Sequence, residues 1–240
     1  MAFRKIGVVG AGTMGNGIAQ AFAQAGFEVV MSDVAQAALD RALATISGSY
    51  DRLIKKEKMT AEQKAAALGR IKTATDLAAL KDSDLIIEAA TENLDLKLKI
   101  FKQLDDLAKP EAVIASNTSS ISITKLAAST KRPDKVIGMH FFNPVPLMAL
   151  VELIRGLQTS DATYAADEEV SKAVGKSPVA VPASDIMTSH VFTVGQNDKL
   201  DVALTLQRAD RDYLGDAAIV LGIVPPRSER FESARMTVSY

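Results

Sequence analysis

The chain has 240 residues, no cysteine and a net charge of −1, with 48% hydrophobic and 24% charged residues. That balance belongs to an ordinary globular protein of one large or two small domains. It excludes disulfides, thiolate metal sites and a cysteine nucleophile, and gives no electrostatic reason to expect nucleic acid or an anionic membrane as partner.

The N-terminal "MAFRKIGVVGAG" lacks the long apolar region of a signal peptide. No segment is apolar for long enough to span a bilayer, so a cytoplasmic protein is expected. "KIGVVG", Lys5 to Gly10, reads as the first strand. A helix follows from about Thr13 to Ala25, with Gly26 as its C-terminal stop. "EVVMSD", Glu28 to Asp33, reads as a second strand. A helical stretch runs from Ala35 to Lys58, and Thr60 with Gln63 has the spacing of a capping box opening another helix to Leu68. A parallel β-α-β unit does not need this helical pair, which reads as an insertion.

"RIKTATD" and "DLIIEAA" read as strands, the second with the solid apolar run of a covered sheet. A helix is expected over Leu94 to Leu107. "AVIASN" is a strand, "ITKLAAS" a short helix, and "KVIGMHFF" and "MALVELI" a strand pair joined by a tight "NPVP" connection. Asp161 to Val174 is helical and "SPVAV" a last strand. The alternation predicts an α/β fold of Rossmann type, with a largely parallel sheet. Its boundary falls at residues 1–183. Residues 184–240 form an atypical C-terminal segment, ending in Pro-, Arg-, Ser- and Glu-rich text without clean periodicity.

"GVVGAGTMGNGIA" carries Gly10, Gly12 and Gly15 in the spacing G-x-G-x-x-G. Gly10 permits a tight strand-to-helix turn, Gly12 lets the backbone approach a pyrophosphate, and Gly15 lets helix and strand pack closely. The N–H groups at the helix start, around Thr13 and Met14, would hold the diphosphate. Asp33 ends the second strand near the expected offset of about 20 residues; its carboxylate suits the ribose hydroxyls of NAD and would repel the 2′-phosphate of NADP. Asp33 also suits the N-terminus of the next helix, and both roles can hold.

The strand around Glu152 places Leu150, Glu152 and Ile154 on one face. A carboxylate on an apolar face is costly unless paired. The nearest candidate is His140, one of only two histidines. Such a pair is a general base with its orienting group. The alternative is a strand-end histidine and a glutamate facing water.

At these residues the chain resembles the (S)-3-hydroxyacyl-CoA dehydrogenases, bacterial 3-hydroxybutyryl-CoA dehydrogenases in particular. The matching stretches are "GAGTMGNGIAQ", "IIEAATENLDLK", "ASNTSSISI", "GMHFFNPVPLMALVELIRG" and "GKSPVAV". The resemblance implies an NAD-dependent enzyme acting on an acyl-CoA substrate in fatty acid or butanoate metabolism. It implies His140 as catalytic base, Glu152 as its orienter and Ser119 as a hydrogen-bond donor to the substrate oxygen, with Asn117 nearby. It also implies Glu92 and Lys97 by the nicotinamide ribose, Asn143 by the nicotinamide, and the helical pair over the CoA moiety. Arg52 and Lys56, four apart, would share a helix face toward the CoA 3′-phosphate or form a plain solvated face. No metal site is implied.

After "KSPVAV" the resemblance stops. The helical domain that follows in the family, with its dimer contacts, is not recognisable here, so oligomerisation is open. His190 falls by register where the family has an active-site Asn, but the sequence around it no longer aligns and it is not read as a replacement. "DIMTSHVFTVGQNDKLDVALTL", within residues 184–206, resembles the opening of a CBS domain, a nucleotide-binding module, or is a chance likeness or a fusion junction. The rival to the enzyme is therefore an NAD-binding module that has lost catalysis and carries a nucleotide-sensing remnant.

Overall fold

In the computed structural model the described residues are 3–181, with two further short strands at Leu204–Thr205 and Arg235–Met236. The chain divides into two compact units, Met1–Met187 and Thr188–Tyr240. In the second unit the two short strands pair antiparallel. The CBS-like stretch and His190 otherwise lie outside the described residues.

The first unit opens with β1 (Lys5–Val9), α1 (Thr13–Gln24) and β2 (Glu28–Ser32). Gly26, at φ +101°, turns the chain out of α1. The helical pair is α2 (Gln36–Lys55) and α3 (Ala61–Gly69). The capping box at Thr60 is formed: its hydroxyl accepts from the Gln63 N–H at 3.2 Å, and the Gln63 side chain accepts from the Thr60 N–H at 2.8 Å. Next come β3 (Ile71–Ala74), β4 (Leu85–Glu88), α4 (Leu94–Leu107), β5 (Val113–Ser116) and α5 (Ile123–Ala127). The unit closes with β6 (Val136–Phe141), β7 (Leu150–Arg155), α6 (Asp161–Ala173) and β8 (Ser177–Val181).

The eight strands form one sheet in the order β3-β2-β1-β4-β5-β6-β7-β8. Every neighbouring pair is parallel except β6 with β7. The direction of winding reverses at β1, which lies between β2 and β4. In such sheets a crevice opens there, outside the carboxyl ends of the strands.

Burial explains why β4 reads as an unbroken apolar run. Leu85 and Ile87 pack on one face with Ile18, Phe22, Leu39 and Val170, from α1, α2 and α6. Ile86 packs on the other with Phe101, Leu104 and Leu126, from α4 and α5. A sheet covered on both faces leaves no polar side to alternate with.

Three expectations are corrected. The helix expected to Lys58 stops at Lys55, and Lys56 is its C-cap. Glu57, at φ +56°, then breaks the helical path. The β6–β7 connection is not a tight turn but the loop 142–149, whose Asn143–Pro144 bond is cis. Two single-turn 3-10 helices, Leu77–Leu80 and Pro133–Lys135, escape the sequence pattern because three or four residues carry no helical period. Among the described residues no helix is long and apolar enough to cross a membrane.

Candidate active site

The glycine turn sits at the reversal point, between the end of β1 and the start of α1. Gly10 has φ +98°, and a Cβ there would stand 2.7 Å from the Ala89 carbonyl oxygen. A Cβ on Gly15 would stand 1.9 Å from the Gly10 carbonyl oxygen. Both positions therefore exclude any side chain. At Gly12 an added Cβ meets nothing within 4 Å, so the space beside the helix start is open. Gly12 caps α1 without a side-chain bond. The first-turn N–H groups around Thr13 and Met14 thus have no capping side chain to satisfy them. Open space against free N–H groups and a helix dipole fits the diphosphate of a dinucleotide.

Asp33 follows β2 and closes this turn. Its Oδ2 accepts the Ala11 N–H at 2.8 Å, and its Oδ1 accepts the Ala35 N–H at 3.0 Å. The carboxylate both braces the glycine turn and supports the start of α2. Each oxygen keeps lone pairs for ribose hydroxyls.

The second cluster lines the α4/α5 face of the sheet at the carboxyl ends of β4, β5 and β6 and the amino end of β7. Glu88 pairs in register with Ser116, Ser116 with Gly138, and His140 with Glu152. The His140 Nδ1 and Glu152 Oε2 are 2.7 Å apart, in side chains only 5% and 9% exposed. Beside an ionised carboxylate, which only accepts, a neutral imidazole carries its proton on Nδ1 and keeps its lone pair on Nε2. The antiparallel turn-back of β7 creates this pair, because directly opposed residues project to the same face. The Phe142 ring lies 4.7 Å from the imidazole, centroid to centroid.

Asn117, just past β5, accepts the Phe141 N–H at 2.8 Å through its Oδ1. This ties the β5 and β6 ends together and leaves the amide N–H groups for another acceptor. Glu92 accepts the Thr118 hydroxyl at 2.8 Å and the Ser119 N–H at 3.0 Å. The Ser119 hydroxyl belongs to the same loop. Asn143 is exposed in the 142–149 loop.

Lys97 differs from the picture of a ligand-facing lysine. Its side chain is 1% exposed, and its ammonium donates to Glu88 Oε1 at 2.7 Å and to the Ala90 carbonyl at 3.2 Å. Glu92 Oε2 stands 3.8 Å away. Sequence reasoning missed Glu88. The signal was present: a carboxylate ending an apolar strand, the same anomaly that singles out Glu152. Arg52 and Lys56 are exposed at the end of α2. The Lys56 N–H bonds to the Arg52 carbonyl at 3.3 Å, so the two stand one turn apart although the helix has ended. Among the described residues no cluster of three or more His, Asp or Glu could hold a metal ion.

The sequence family described as 3-hydroxyacyl-CoA dehydrogenase, NAD binding domain, matches residues 5–185. A 3-hydroxybutyryl-CoA dehydrogenase of Bradyrhizobium diazoefficiens is 54% identical over 173 residues, covering 72% of this chain and 59% of that protein. A 3-hydroxybutyryl-CoA dehydrogenase of Clostridioides difficile is 48% identical over 180 residues, covering 75% and 64%. Among solved structures, the (S)-3-hydroxybutyryl-CoA dehydrogenase of Ralstonia eutropha superposes with a TM-score of 0.74 at 62% identity, over 75% of this chain and 64% of that one. The chain thus spans roughly three fifths of the length of these relatives. The comparisons lend no support to a nucleotide-sensing module.

Proposed function

The chain belongs to the 3-hydroxyacyl-CoA dehydrogenase family through its NAD-binding domain, and on that premise we propose that it interconverts (S)-3-hydroxybutyryl-CoA and acetoacetyl-CoA. The observation that carries this reading is the buried His140–Glu152 pair on the same sheet face as the SNTSS loop. The glycine turn and Asp33 would hold the cofactor, whose nicotinamide would supply the hydride acceptor for the substrate carbinol carbon, and the donor in its reduced form.

The chain's own residues handle the rest. His140 Nε2 takes the hydroxyl proton as the C–O bond becomes a carbonyl, and gives it back in the reverse direction. Glu152 holds the imidazole in the required tautomer and stabilises the imidazolium. Ser119 and Asn117 supply hydrogen-bond donors for the substrate oxygen and the cofactor edge. Gly10, Gly12, Thr13, Met14 and Gly15 receive the diphosphate, and Asp33 the adenosine ribose. Glu92 and Asn143 border the nicotinamide half. Arg52 and Lys56 offer cationic partners for the CoA phosphate. On this reading residues 1–183 form the NAD-binding domain and 184–240 a separate segment.

The test combines turnover with binding. The full chain, given acetoacetyl-CoA and NADH, should consume nicotinamide absorbance. His140→Gln should remove that turnover while NADH affinity, read by fluorescence titration, stays nearly unchanged. Turnover by His140→Gln at the wild-type rate would end the assignment of the base.

A further inference from the structure

The proposed function uses Glu92 and Ser119 but gives no task to Glu88, the most deeply buried carboxylate near them. Glu88 and Lys97 have side-chain exposures of 0% and 1%. Burying two charges is expensive, and a buried ion pair is often no more stable than apolar residues of similar volume. Packing alone therefore does not account for the pair. The hydrogen bonds point to another role.

Glu88 accepts three bonds of 2.7 Å, from the Ala90 N–H, the Lys97 ammonium and the Ser116 hydroxyl. They come from the loop after β4, from α4 and from β5. The carboxylate is the knot joining these three elements at the carboxyl edge of the sheet. Lys97 hands the connection on, with its ammonium 3.8 Å from Glu92 Oε2. Glu92, 43% exposed, is clamped in turn by the Thr118 hydroxyl and the Ser119 N–H. A continuous chain of charge and hydrogen bonds thus runs from the sheet core to the SNTSS loop.

We propose that Glu88 is a positioning residue of the active site, acting through Lys97 to hold Glu92 and the SNTSS loop where the nicotinamide half of the cofactor is received. The inference rests on the proposed function above. Lys97 is then an internal strut rather than a surface cation. Its ammonium serves two carboxylates, 2.7 Å from Glu88 and 3.8 Å from Glu92. Without Glu88 the ammonium is drawn toward Glu92 alone, and Glu92 is pulled from its bonds to Thr118 and Ser119.

The experiment compares the full-length wild type with E88Q, K97M and the double variant E88Q/K97M. Thermal melting reads the structural contribution. NADH titration by fluorescence reads the whole cofactor site, and ADP binding by calorimetry reads the adenosine half, which the glycine turn and Asp33 serve. E88Q alone leaves the buried Lys97 ammonium without its nearest counter-charge, so it should melt below the double variant. The double variant removes both charges at nearly constant shape and should melt close to wild type. It should bind ADP normally and NADH about tenfold or more weakly. A purely structural pair predicts recovery of NADH affinity together with melting, and that result would overturn the proposal. Should the double variant not fold, Ser116→Ala removes one bond to Glu88 together with the acceptor of the Thr118 N–H, and is read in the same two titrations. NADH weakened with ADP unchanged supports the proposal, and no change in either overturns it. A folded wild type that binds ADP but not NADH would instead bring down the proposed function, and this inference with it.

Discussion

His140 and Glu152 show how a side chain's chemistry depends on one strand's direction. They are twelve positions apart in the chain, and only the antiparallel return of β7 makes them direct neighbours. The period of two in "LVELIR" was enough to place Glu152 on an apolar face and to require a partner. It could not choose between a paired and a water-facing carboxylate, because strand order is not written in one strand. Asp33 carries two tasks in one carboxylate, since its oxygens already accept the Ala11 and Ala35 N–H groups. NADH should bind far more tightly than NADPH, whose 2′-phosphate would meet that charge. Asp33→Ser should narrow the difference and also weaken NADH by loosening the glycine turn. Parallel fluorescence titrations measure both, and equal wild-type affinities would remove Asp33 from selection.

At the scale of elements, the loop 142–149 depends on a residue far along the chain. Lys176, just after Gly175, donates from its buried ammonium to the carbonyls of Val145 and Met148. Burial pushes its pKa below the usual lysine range. The loop also rests on α1, where a Cβ on Gly17 would approach Val145 to 2.9 Å. Lys176→Met keeps the chain's bulk and leaves two carbonyls without a donor, a loss of about 1–3 kcal/mol. Urea unfolding should show it. Hydrogen exchange should show faster opening of residues 142–149, with the β1–α1 turn unchanged; uniform protection would mean the loop holds itself. The "NPVP" text signalled a turn but not this anchor. A turn motif reports local backbone preference, whereas the lysine arrives through the parallel pairing of β8 on β7.

For the whole molecule, one buried group works against stability. Asp167 on α6 is completely buried, and neither carboxyl oxygen has a hydrogen-bond partner among the described residues. Burial alone raises its pKa well above the carboxylate range. The folded state therefore keeps a proton that the unfolded chain releases. Stability from this group is full below the unfolded carboxylate pKa, about 3.9, and is lost as pH rises through the raised folded value. Asp167→Val should stabilise the chain by about 1–3 kcal/mol near neutral pH and by less in mild acid. Urea midpoints at pH 5 and pH 8 decide this. A gain independent of pH would show that the carboxyl does not titrate with folding.

The order of strands and helices, the glycine turn and the capping box at Thr60 are all legible in the sequence. Each depends on residues within a few positions of one another, where periodicity and backbone preference act directly. The resemblance carried the family for the same reason, since its motifs are contiguous text. The hidden part was long-range. The resemblance put Lys97 by the nicotinamide ribose, and its burial against Glu88 stayed hidden because that partner lies on another element. Asp167 carries no signal within its own helix, and its burial follows from how α6 packs on the sheet. Burial and charge pairing belong to the packed molecule. They arise only when distant segments exclude water together, and no window of the chain contains that information.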